Sequence, residues 1–101
     1  MTPDDLRQAL LIDPIVRLRA AEWDVLAPAF EEVERHHTVV AGSLVIIRAG
    51  GALAAVEQPR PDERVVRRLD GEDAARAFVR ERMDQYERMW DGCGCKVEYY
   101  E

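Results

Sequence analysis

Lysine and serine each occur once in this chain of 101 residues, cysteine occurs twice, and aromatic residues make up only 7%. Each scarcity excludes something. Ser43, the single serine, has no base beside it, which argues against a serine hydrolase. Two cysteines do not make a disulfide framework. No run approaches the ~20 apolar residues that a membrane-spanning helix needs. The opening "MTPDDLRQALL" is acidic and lacks a basic stretch followed by an apolar one, so no signal peptide is expected and a cytoplasmic location is. Glycines are too sparse for a phosphate loop, and "RAGG" (48–51) lacks that pattern.

A cationic face is missing as well. The net charge is −6 and the pI about 4.9. "RVVRRL" (64–69) is a local basic cluster, but "PDE" before it and "DGED" after it dilute its field. A nucleic-acid partner, which needs positive charge to displace phosphate counterions, is therefore not expected. The basic residues are almost all arginine, with Lys96 the exception. That bias reflects base composition or heat adaptation and has no bearing on function.

What is present suits one folded domain. Hydrophobic residues make up 48% and charged residues 34%. A chain this small buries a limited share of its surface, so a homodimer fits the size. Residues 1–92 are expected to form a single α+β domain, and 93–101 a short tail.

"TPDD" opens a helix over about 3–12: Thr2 caps it, Pro3 suits the first position, and Asp4 and Asp5 favour its positive end. "DP" (13–14) repeats the signal before "IVRLRAAEWDVLAPAFEEVERHH". Trp23, Leu26, Phe30 and Val33 recur there at helical spacing, which predicts a second, long helix ending at His36–His37. Pro28 removes a backbone donor and must kink or restart that helix. Three strands are then expected, "TVVAGSLVIIR", "ALAAVEQ" (52–58) and "RVVRRL", joined by "AGG" and "PRPDE". A last helix carries Ala75, Phe78, Val79, Met83, Tyr86, Met89 and Trp90 on one face and stops at Asp91–Gly92. The expected fold is thus α+β: N-terminal helices, the second kinked at Pro28, a three-stranded antiparallel meander with one face covered by helices, a C-terminal helix and a tail.

Chemistry concentrates in "MWDGCGCKVEYYE" (89–101), which holds both thiols, Cys93 and Cys95. Gly94 lets the backbone turn tightly enough for two sulfurs to point the same way. One use is metal binding. Two thiolates supply half of a tetrahedral site for Zn(II) or Cu(I), and His36, His37 or a second copy of the pair could complete it. The expected path of the chain brings the histidine pair and the cysteine pair to the same end of the molecule. A second use is redox, because a disulfide between residues i and i+2 is strained and labile. Asp91, Glu98, Glu101 and a helix C-terminus surround the thiols with negative charge, which opposes a reactive thiolate. A third possibility is that both are small buried hydrophobes.

The other candidates have plain explanations. Adjacent helical histidines point about 100° apart and seldom share one ion, while a helix C-terminus favours His for its dipole. Glu81, Asp84 and Glu87 alternate with Arg80, Arg82 and Arg88, the pattern of a solvated face. The tyrosines of the tail suit an interface with a protein partner, though a disordered tail is the simpler alternative. The functional expectation is a small metal-binding or thiol-bearing accessory protein rather than an enzyme. The alternatives are a non-catalytic interaction subunit with incidental thiols and a thiol–disulfide redox protein.

Overall fold

The computed structural model describes residues 1–38 and 42–92. In chain order the elements are α1 (Pro3–Ile12), β1 (Ile15–Arg19), α2 (Ala20–Leu26), a 3-10 turn (Ala27–Ala29), β2 (Glu31–Thr38), β3 (Gly42–Ala49), β4 (Ala52–Arg60), β5 (Glu63–Leu69) and α3 (Glu72–Gly92). The class is α+β, but the sheet has five antiparallel strands in the order β1-β5-β4-β3-β2, not three.

The difference lies in residues 14–38. In place of one long kinked helix there are an outer strand, a two-turn helix, a 3-10 turn at Pro28 and a second outer strand. In β1, Leu18 is buried and its neighbours Arg17 and Arg19 are exposed, a period of two. In β2, Glu, Arg and His dominate because an outer strand need not be apolar. Pro28, which lacks a donor, sits where the helix gives way to a tighter turn and then to extended chain.

The ends of α1 follow the sequence. Thr2 Oγ1 accepts from the Asp5 backbone N–H at 3.1 Å, and Asp5 Oδ2 accepts from the Thr2 N–H at 3.0 Å. These bonds, the Thr2 backbone one first, hold the Asp5 carboxyl below its usual pKa. Two turns require a glycine. Gly50, at φ +68°, lies in the two-residue turn between the paired Ala49 and Ala52. Gly71, at φ +102°, reverses the chain from β5 into α3.

The strands present two apolar faces, and helices cover both rather than one. Leu6 and Leu10 of α1, Trp23 and Leu26 of α2, and Phe30 pack on Leu18, Val45, Ile47, Ala54, Val56 and Val66. On the opposite face Ala75, Phe78, Val79 and Met83 of α3 pack on Leu44, Ile46, Leu53, Ala55 and Leu69. Phe78, Val79 and Met83, read from the sequence as core, are only partly buried there, and Met89 is exposed.

A register shift between Glu32 and Glu34 places Glu32 opposite Ile47 and Arg35 opposite Val45, on one face. Glu32 Oε1 therefore accepts from Arg35 Nε at 3.1 Å although three residues separate them in a strand. That bond keeps the Glu32 carboxyl below its usual pKa.

Candidate functional site

Five strands spaced by ~4.8 Å span about 19 Å, while one helix covers about 10 Å. The lone helix α3 packs over β4 and β5, so it leaves a groove on either side of itself. The groove toward β2 is small, about 230 Å³, and is lined by Val33, Glu34, Arg48, Glu72 and Arg76 among others. The groove toward β1 is about 330 Å³, with Ile15, Arg17, Pro59, Val65 and Met89 around a charged cluster.

That cluster is built on Glu57. Alternation along β4 turns Leu53 and Ala55 toward α3, and Glu57 is the next residue in that series, with a side chain 12% exposed. Arg67 approaches from β5 and Arg82 from α3. Arg82 Nε lies 3.0 Å from Glu57 Oε2, and Arg67 Nε lies 3.6 Å from Oε1. The first contact is misaligned for a hydrogen bond and the second is too long, so both buried Nε–H groups pair with the carboxylate by charge alone. Tyr86 Oη donates to Glu57 Oε2 at 3.1 Å. Both guanidinium groups also stand over the Phe78 ring, at 5.6 Å for Arg67 and 5.1 Å for Arg82. A single carboxylate is thus held by two guanidiniums and a phenol on an aromatic base.

Burial, followed by the Glu57 charge and the hydrogen bond to Glu57, pushes the Tyr86 phenol up to about 12, with Arg82 opposing. The folded protein retains that proton beyond the unfolded value of about 10. Its contribution to stability is therefore present below pH ~10 and lost as pH rises toward 12. Absorbance titration should show a tyrosine phase near pH 12 that disappears in Tyr86→Phe. A phase that persists in that variant, or Tyr86 ionising near pH 10, would remove Glu57 as its neighbour.

The residues singled out from the sequence fall differently. Cys93 and Cys95 lie outside the described residues. His36 and His37 are on β2, not at a helix end. Neighbouring strand positions point to opposite faces. His36 pairs with Leu44 and looks toward α3, where its Nε2 meets Glu34 Oε2 at 3.1 Å. His37 pairs with Ser43 on the other face, its Nδ1 3.1 Å from Ser43 Oγ, and is exposed rather than turned inward. The two histidines cannot serve one ion from one chain. Among the described residues no three His, Cys, Asp or Glu side chains gather as a metal group.

The registers align Arg17, Val65 and Glu57 in one cross-strand row. Phe78, Arg82, Tyr86 and Met89 descend along α3 toward this row and Pro59. Met89 stands in the groove beside β1, whereas His36 lies on β2 at the opposite margin of the sheet.

The sequence reading missed Glu57, Arg67, Arg82 and Tyr86 as a group. A signal existed: Arg82 interrupts the apolar stripe between Phe78 and Tyr86, and Glu57 interrupts that of β4. A charge at an inward position needs a partner. Compared with models of known families, with curated proteins and with solved structures, the chain shows no match.

Proposed function

We propose that this chain is a small non-catalytic accessory protein that holds a soft metal ion, Zn(II) or Cu(I), through Cys93 and Cys95. The observation that carries this reading is the thiol pair itself, spaced by one glycine and placed directly after α3. The last turn of α3 has no basic residue, and a helix C-terminus is electronegative. A thiolate there gains more from a bound cation than from the fold, which favours ligation over nucleophilic or redox chemistry. His36, which faces the α3 side while His37 faces away, is the better third donor, supplied by a second copy because within one chain the end of α3 and β2 lie toward opposite margins of the sheet. The remaining position falls to a second copy or a client molecule.

The experiment is native mass spectrometry of reduced, air-free protein after exposure to zinc or copper(I). The expected result is one ion per chain or per dimer. It should be lost in Cys93→Ser/Cys95→Ser, weakened in His36→Ala and unchanged in His37→Ala. A bare mass with both thiols free overturns the metal reading. The interaction subunit would then stand, a reading favoured by the exposure of Leu11 (68%), Ile12 (87%) and Val25 (78%) on the helices of the other face.

A further inference from the structure

The groove between α3 and β1 has features that the thiol pair does not explain. Arg17, Arg67 and Arg82 line it, and among the described residues Glu57 is the one carboxylate in its lining. Arg17 is matched by Glu63 at 3.4 Å, and Glu57 matches one of the other two guanidiniums. Among the described residues one positive charge remains uncompensated there, in a chain whose net charge is −6. Arg67 meets Glu57 through Nε and Phe78 through its planar face. Among the described residues its two terminal nitrogens have no hydrogen-bond acceptor. The Arg67 side chain is 30% exposed, so a ligand can reach it while Phe78 and Tyr86 keep the local dielectric low.

The rest of the groove is apolar. Ile15, Val65, Pro59 and Met89 contribute wall, and the space of about 330 Å³ falls at the small end of ligand pockets. Met89, 54% exposed, is an unbranched side chain able to close over an apolar body.

We propose that this groove binds a small organic monocarboxylate carrying an apolar chain. The carboxylate pairs with the terminal nitrogens of Arg67, with Arg17 beside it, and the chain lies along Ile15, Val65 and Met89. A guanidinium matches a carboxylate in a two-point fork. One uncompensated charge suits a monoanion, whereas a phosphate dianion would bring a second negative charge against Glu57.

The test is a titration of the full ¹⁵N-labelled chain with hexanoate, phenyl phosphate and hexylammonium at constant ionic strength, followed by amide and arginine Nε–H shifts. Hexanoate should saturate in the millimolar range, moving Gln58, Val65, Arg67 and Met89. Phenyl phosphate should bind at least about tenfold more weakly and hexylammonium not at all, and Arg67→Met should cost hexanoate about tenfold or more. Arg17→Met, which alters an exposed pair and leaves the Glu57 cluster whole, should also weaken hexanoate and guards against an Arg67 variant that fails to fold. Non-saturating shifts, tighter binding of phenyl phosphate, or hexanoate affinity unchanged in Arg17→Met or in a folded Arg67→Met would overturn the proposal.

Discussion

Glu57→Gln should destabilise the protein by about 2 kcal/mol, because it leaves two guanidiniums facing each other across an uncharged amide. The amide fits the space, so cavity formation does not contribute. The side chain is only 12% exposed, whereas Arg67 and Arg82 are 30% and 27% exposed. Water reaches the arginines better than the carboxylate, which keeps the cost below the ~3–5 kcal/mol of a fully buried broken pair. For a domain of this size the melting temperature should fall by roughly 10 °C. Adding Arg82→Met should restore part of the loss, since one guanidinium then no longer repels the other. A loss under ~0.5 kcal/mol would class the cluster with ordinary surface pairs.

The largest single loss is expected at Trp23. Trp23→Ala should cost about 3–5 kcal/mol through lost burial and the cavity left behind. Trp23 is 9% exposed and stacks on Phe30, with ring centres 5.9 Å apart and planes 18° from parallel. Arg7 of α1 lies over the other ring at 5.0 Å from its centre. One indole therefore links α2, the segment after Pro28 and, through Phe30, α1. Urea unfolding should show the loss with cooperative behaviour retained, whereas Val25→Ala on the same helix, where the side chain is 78% exposed, should stay within about 0.5 kcal/mol. Equal small effects at both positions would show that α2 contributes little to the core.

The outcome at these two residues reflects what a sequence can reveal. Trp23, Leu26 and Phe30 read correctly as apolar core, but Val33 of the same stripe is 41% exposed and the long helix drawn through them does not exist. Their spacing fits a helical stripe, but Leu26 ends the helix and Phe30 reaches the core from extended chain beyond Pro28. The strands β4 and β5 were legible as short apolar runs bounded by turn signals, and the helix α3 because its apolar residues recur at helical spacing. The charged strand β2 was not, since glutamate and arginine favour helices and nothing in "EEVERHHT" alternates. Its misassignment also placed His36 and His37 about 100° apart when the pleat sets them on opposite faces. The Glu57 cluster was hidden for another reason. Its members are distant in sequence, and only the pairing of β4 with β5 and the path of α3 bring them together.

The shift at Val33 has a consequence for how copies of this chain meet. A free strand edge invites another strand to hydrogen-bond along it, which is how folded proteins begin to polymerise. On β2 that approach meets a bulge and a row of charged or titratable side chains, Glu31, Glu32, Glu34, Arg35, His36 and His37. The other edge, β1, offers five residues between Pro14 and the start of α2. The sheet is therefore a poor template for its own extension at both margins, and two molecules of this acidic chain would associate through helices and side chains rather than by sharing a sheet.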